Sequence, residues 1–487
     1  MDVLTQIQRL INIKKSFINV LANIGYAVST FQEIISSIEN HKQGDLDKSL
    51  MSALTAKDEA VRMDESVYDL YERLFAQNET LLSSVDTLAS KSFYETNLVY
   101  FKSKPCNADI NDAFNTCRSL MFAELDQATD CTTLNSTFRR CNNLVVVELP
   151  PSLDKCKDLR YTFSICTSLR KVNLPKQLPV CTSMSYLFEN CRNLDIDIEF
   201  TYLPKVIRLD NAFGGCSSLS SVTLPTELPA LTSMRDAFRD CSSLSSVTLP
   251  TEMPALTSMR DAFRGCSSLS SVTLPTEMPA LTSMDGAFSG CSSLSTPLDI
   301  DCTNVLAIRY CQIFGGCKNI PSLTLHSTAN IHNFSYFIYN CTSLTSVTGL
   351  DLSNAFLSVD EVKQVAAANK ITISDADAET VYRQTSWMGC TQTNTKLTNM
   401  PLQGTLYRSG FSIASCPLTA ESLYTWFVAL YDWTNNPEAK TTDDTTHTLT
   451  VNATSLANMQ EYVPDNGISG EDIYLQAIEK GWIIQTT

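Results

Sequence analysis

SSLSSVTLPTELPALTSMRDAFRDC, from Ser217 to Cys241, is followed without a gap by SSLSSVTLPTEMPALTSMRDAFRGC, from Ser242 to Cys266. The two differ only at Leu228/Met253 and Asp240/Gly265, the mark of a recent duplication. In the second copy Leu244, Val247 and Leu249 give a short strand with its apolar side inward. Pro250 ends it, because proline cannot donate to a sheet ladder. Met259, Ala262, Phe263 and Cys266 then fall at i, i+3, i+4 and i+7, the spacing of one stripe of a short helix. Each unit therefore reads as strand, turn and helical crossover.

The same frame extends in both directions. An aromatic or aliphatic residue, two spacers, a cysteine, two spacers and Leu or Ile occur ten times between Phe114 and Leu344, with cysteines from Cys117 to Cys341 in steps of 24 to 26 residues. A fixed period of that size marks a solenoid, in which each unit buries its apolar side against its neighbours. Crossovers of constant length stack the strands in parallel. The product is a long surface rather than a closed pocket.

The repeats resemble the cysteine-containing, BspA-like branch of the leucine-rich repeats, found on bacterial surface proteins and in fibre or baseplate proteins of phages. The stretch PLTAESLYTWFVALYDWTNNPEAKTTDDTTHTLTV, with AIEKGWIIQ beyond it, resembles the C-terminal ends of leucine-rich-repeat proteins predicted in phages of gut bacteria. The resemblance implies an α/β solenoid of parallel strands with short helical crossovers. The long surface of such a solenoid favours binding over catalysis.

Eighteen cysteines in 487 residues suggest a disulfide scaffold until their columns are compared. Cys106, Cys131, Cys156 and Cys181 form a second column that continues as Val206, Leu231, Leu256 and Leu281. Such replacement asks for a small buried group, which a free thiol supplies. No CxxC pair suggests zinc. Asp299, Asp301 and Asn304 lack the glycine and closing glutamate of a calcium loop, and read as a solvated turn. The four histidines, His41, His326, His332 and His447, fall in no ligand motif, and no P-loop, GxGxxG or GxSxG occurs. The expectation is no catalysis, no metal and no cofactor. A net charge of -16 argues against nucleic acid, and no run is long enough to insert in a membrane.

Residues 1–43 carry a second pattern. Val3, Ile7, Leu10, Lys14, Phe17, Leu21, Ile24, Val28, Phe31, Ile35 and Ile38 alternate steps of four and three, and only Lys14 is not apolar. This is a coiled-coil or buried-bundle stripe, and β-branched residues at both core positions lean toward a trimer. Residues 44–95 are read as a second helical segment, with Val67, Tyr71, Leu74, Asn78, Leu81, Val85 and Leu88 at heptad spacing. An intramolecular hairpin of the two helices is the plainer alternative to oligomerisation. The array proper is assigned to 96–349, and 350–487 to longer-period repeats with a C-terminal cap. There a helix capped by Thr419 through Leu430, a strand at His447–Val451, a helix at Glu471–Lys480 and a strand at Trp482–Ile484 are expected.

The outward strand position holds Glu124, Glu148, Asn173, Thr223, Thr248, Thr273, Thr324 and Thr348, a candidate face for sugar hydroxyls or a host receptor. The plainer reading is that threonine suits any exposed strand. Tyr161, Tyr186 and Tyr202, which could stack on a sugar, occur only in the less regular early repeats. Two functions follow: a phage virion protein, such as a tail or head fibre or baseplate appendage held to other virion proteins by its helices, or a bacterial cell-surface adhesin. Asp2, Lys14 and Lys15 do not read as a signal peptide, and this favours the virion expectation, since phage proteins leave by lysis. A carbohydrate-active enzyme would need paired carboxylates that the sequence does not bring together.

Overall fold

The computed structural model describes residues 81–486 except 102–104, 276–277, 308–310, 329, 370, 385–393, 395, 408–409, 436–445 and 466. The heptad stripe of residues 1–43 lies outside the described residues. Of the second stripe, Val67, Tyr71, Leu74 and Asn78 also lie outside. Its last positions are visible: Leu81 and Val85 pack half-buried on the core, and Leu88 is fully buried. Leu88 already bridges Cys106, and Phe93 already stacks on Phe114, so the first coil starts inside the segment read as helical.

The strands are short and parallel. Strands β1 (Tyr100–Phe101), β2 (Phe122–Glu124), β3 (Val146–Glu148) and β4 (Lys171–Val172) form one sheet. β5 (Ile198–Glu199), β6 (Ser221–Thr223) and β7 (Ser246–Thr248) form a second, and β8 (Leu298–Ile300), β9 (Ser322–Leu325) and β10 (Ser346–Thr348) a third. The register is constant: Val222 lies beside Val247, and Leu298 beside Leu323 and then Val347. These inward residues are buried, and the strand of the repeat at Ser242 ends before Pro250 as expected.

The crossovers correct the sequence reading. Met259, Ala262, Phe263 and Cys266 are all fully buried, yet they lie on consecutive turns rather than on a helix. The reason is the backbone at Asp261 and Gly265, which is left-handed with φ of 51° and 76°. It turns alternate amides out of their own coil, so Asp261, Phe263 and Gly265 each donate to the next coil, to the carbonyls of Asp285, Ala287 and Ser289, at 2.8 Å. An α-helix would give every such amide to its own chain four residues back. Ala262, Arg264 and Cys266 instead close turns on the carbonyls three residues earlier. Apolar spacing alone does not separate this turn ladder from a helix, since both bury the same four positions.

Two further ladders run along the core. Phenylalanine rings from Phe93 to Phe314 stack coil upon coil, for example Phe238 on Phe263 at 5.3 Å and 5°. Beside them each column thiol donates to the phenylalanine carbonyl of the preceding coil, as Cys266 to Phe238 at 3.0 Å and Cys291 to Phe263 at 3.1 Å. The main column thus asks for a small group that also donates, which is more than the sequence comparison suggested. None of the seventeen described cysteines is in a disulfide.

Regularity ends near Gly349, where φ is 79° and a Cβ would meet the Leu325 carbonyl oxygen at 1.7 Å. Strand β11 (Leu350–Asp351) pairs with β12 (Leu402–Gln403) across an insertion carrying helices α1 (Val359–Ala368) and α2 (Asp375–Gln384). These helices bury Phe356, Val362, Ala366 and Val381 in a small core of their own. Then β13 (Phe411–Ser412), β14 (His447–Val451) and β15 (Trp482–Thr486) make a last parallel sheet, with helices α3 (Ala420–Ala429), α4 (Ala453–Gln460) and α5 (Gly470–Glu479) between them. Thr419 caps α3 as expected, its hydroxyl accepting from the Ser422 amide, and Gly481 stands just past α5 with φ of 90°. α1, α2 and α4 were not foreseen.

Candidate recognition surface

The strand face brings the candidate column together. Glu124 lies beside Glu148, Thr223 beside Thr248, and Thr324 beside Thr348, in strict register. Glu148, Asn173, Thr223, Thr248, Thr273 and Thr324 are exposed, with Glu124 and Thr348 at intermediate exposure. Two members escaped the sequence reading: Glu199 beside Thr223, and Asp299 beside Thr324. The irregular repeats hid them, although the steps of 24 and 25 residues from Glu199 to Thr223 to Thr248 were the available signal.

The side chains in this column are not equivalent. Asn173 clamps the Leu149 backbone, accepting from its amide at 2.6 Å and donating to its carbonyl at 2.9 Å. Glu124 accepts from the Tyr100 hydroxyl at 3.0 Å, Glu199 is paired with Lys176, and Asp299 lies 2.7 Å from the His326 ring. Both Asn173 and Glu124 therefore have a structural task. The threonines do not.

Hydroxyls elsewhere on the coils show the contrast. Thr232, Thr257 and Thr282 each donate to a carbonyl 25 residues earlier, at 3.1, 2.8 and 3.2 Å. Ser245 and Ser270 do the same at 3.2 and 3.3 Å. Among the described residues the hydroxyls of Thr223, Thr248, Thr273, Thr324 and Thr348 make no such bond, which leaves them to water or a ligand. A flat row of free hydroxyls between carboxylates can bond a polar surface and has no group to activate.

Tyr161 and Tyr186 do not join this face. They stack on each other at 4.6 Å on the turn side of the coils, while Tyr202 is half exposed beside Gln177 on a separate bridge. Asp301 accepts from the Thr303 amide at 2.9 Å and Asn304 donates to the Pro279 carbonyl, so that segment is a self-bonded turn. Burial pushes the column thiols up, Cys241 and Cys317 to about 12, so they stay protonated donors and are poor nucleophiles. Among the described residues no three His, Cys, Asp or Glu side chains are grouped to hold a metal, and no helix is long and apolar enough to cross a membrane.

These coils define a repeat solenoid that presents ordered surfaces. The chain matches the BspA type leucine-rich repeat region (6 copies) over residues 67–195, 132–259, 184–296 and 259–378, more than half its length, and it belongs to that family. Among solved structures it is similar to a leucine-rich repeat protein from Bacteroides ovatus ATCC 8483, with 17% identity over 63% of this chain and 78% of the other, at a TM-score of 0.32. It is also similar to a leucine rich cell surface protein from Faecalibacterium prausnitzii A2-165, with 18% identity over 50% of this chain and 83% of the other, at a TM-score of 0.24. No curated protein matches it.

Proposed function

We propose that this protein is a non-catalytic recognition protein of a bacterial cell surface, an adhesin whose coils hold a host receptor or glycan against the strand face. The observation that carries this reading is the register-aligned row of threonine hydroxyls without protein partners, set among coils in which Thr232, Thr257, Thr282, Ser245 and Ser270 bond to the neighbouring coil. Membership of the BspA-type family supports a repeat-built binding surface. Residues 1–43 serve as the attachment or oligomerisation segment, since the apolar stripe from Val3 to Ile38 needs a partner to leave water.

The test is binding of the purified full chain to host epithelial cells and mucin, with Thr223→Lys/Thr248→Lys as the comparison. Expected is saturable binding that the double substitution abolishes without changing thermal stability. Binding that is absent, or indifferent to these threonines, would overturn the strand-face reading. The virion appendage remains a second reading because the heptad stripe of 1–43 suits a particle anchor equally well. Fractionation separates the two: the surface reading expects the chain with the cell envelope, and sedimentation with phage particles would replace it. Light scattering on the full chain and on one lacking residues 1–43 tests the anchor, with an oligomer expected only for the first.

A further inference from the structure

The turn side of the coils carries a second feature that the strand face does not explain. Five residues before each column cysteine the backbone is left-handed, with φ of 57° at Ser136, 57° at Tyr161, 61° at Tyr186, 53° at Asn211 and 54° at Asp236. Asn, Asp and Gly suit that conformation, whereas a bulky aromatic residue is disfavoured in it. Three coils nevertheless place tyrosine there, Tyr161, Tyr186 and Tyr336, and the first two are consecutive. Strain of this kind, retained by two neighbours, points to a use.

The two rings form a built platform. Tyr161 and Tyr186 stack at 4.6 Å with planes 9° apart, and the Arg139 guanidinium lies over Tyr161 at 5.0 Å. On the other side the column shrinks to Asn211, and among the described residues no ring or cation stacks on the far face of Tyr186. A polar rim is fixed beside it: Glu189 accepts from the Ser164 hydroxyl at 2.8 Å and from the Asn211 amide at 3.1 Å. The phenol hydroxyls of Tyr161 and Tyr186 bond to no protein group among the described residues.

We propose that Tyr186, backed by Tyr161 and Arg139, is a carbohydrate subsite that stacks a neutral hexose unit of a glycan on the ring face turned away from Tyr161, where the next coil has the small Asn211. A sugar ring combines one apolar C–H face with hydroxyls around its edge, which matches an aromatic face rimmed by an amide, a carboxylate and two phenols. Glu189 and Asp210 on one hand and Arg235 on the other all act electrostatically on Tyr186, so an anionic unit meets two carboxylates and a cationic one a guanidinium. Neither charge is matched. The subsite rests on the recognition reading above and adds a ligand class and a place to it.

The experiment uses the full chain on a printed array of neutral and uronate oligosaccharides, followed by calorimetric titration of the best neutral binder into wild type, Tyr186→Asn and Tyr186→Phe. Tyr186→Phe keeps the ring and should bind within about threefold of wild type, whereas Tyr186→Asn should bind at least about tenfold more weakly. Asn211 shows that asparagine fits this backbone, so the thermal midpoint of Tyr186→Asn should equal or exceed that of wild type. Failure to bind any neutral oligosaccharide, equal binding by Tyr186→Asn, or a midpoint that falls together with binding would overturn the subsite. Glycan binding that survives Tyr186→Asn and is lost in Thr223→Lys/Thr248→Lys leaves the recognition reading standing and removes this site.

Discussion

The coils between Phe213 and Phe288 and the unit beyond Leu402 both build on short parallel strands, in separate sheets, and hold them in opposite ways. In the coils the ties between units run to a neighbouring coil at the same register: ring on ring, thiol to carbonyl, amide to carbonyl. Asp285 apart, no residue there has a special task, since its neighbour repeats it. In the C-terminal unit a few large side chains each hold several elements. The Trp426 indole donates to the Met400 carbonyl at 2.9 Å and the Trp482 indole to the Tyr431 carbonyl at 2.8 Å, and both rings are buried. Repetition spreads stability along an array, whereas an irregular unit concentrates it.

The largest effect should therefore fall on the irregular side. Trp426→Ala removes a buried aromatic ring at about 3–5 kcal/mol and leaves the Met400 carbonyl without this donor, about 1–3 kcal/mol more. Hydrogen exchange should show loss of protection across residues 400–486 with the coils before Gly349 unchanged. Equal loss in both regions would erase the distinction.

Phe263→Ala should cost about 3–5 kcal/mol as well, but over a shorter range. Protection should fall in its own coil and in the coils of Phe238 and Phe288, and recover beyond them. Uniform loss along the chain would mean that the coils are not a nearest-neighbour array.

Much of this contrast was legible in the sequence. The period fixed the coils, the inward strand residues and the parallel order, because burial of one face leaves a repeating apolar mark. The C-terminal helices of Thr419 and Glu471 were legible through their caps. The crossover was not, because i, i+3, i+4 and i+7 are buried equally by a helix and by two left-handed turns. The signal that separates them is the recurring Asp, Asn or Gly at the positions of Asp261 and Gly265, residues that accept positive φ. The candidate column of outward strand residues was legible where Val-Thr-Leu recurs. The Tyr161–Tyr186 platform was not, since only the turn geometry stacks residues 25 apart.

A smaller effect sharpens the comparison at the edge of the regular coils. Asp285 stands where the two preceding coils have Arg235 and Arg260, and its Oδ1 is buried without a partner among the described residues. Burial raises its carboxyl to about 7, with Arg260 opposing and Asp261 adding to the rise. The folded chain then keeps a proton that the unfolded chain releases from about pH 4 upward. Stability should fall as pH rises from about 4 to 7 and level off above, and Asp285→Asn should flatten that slope, a change of about 1–3 kcal/mol at neutral pH allowing for partial exposure. Thermal melts across that range check it.

The smallest effect isolates the thiol donor. Cys266→Ala and Cys266→Ser both shrink the side chain, but only serine retains a donor toward the Phe238 carbonyl. The serine variant should be the more stable by about 0.5–1.5 kcal/mol in denaturant melts. An alanine variant as stable as serine would return the column to a purely apolar role.

The most direct measurement is the thermal unfolding of a chain lacking Ser242–Cys266. The coils on either side carry the same contacts, with Phe238 facing Phe263 at 5.3 Å and Phe263 facing Phe288 at 5.5 Å. Removing one coil should let Phe238 face Phe288 and the Cys291 thiol meet the Phe238 carbonyl, with the array shorter by about 4.8 Å. The account predicts a cooperative transition with a midpoint only slightly below that of the full chain. Loss of the transition, or aggregation of the shortened chain, would contradict the claim that these coils are equivalent units tied only to their neighbours.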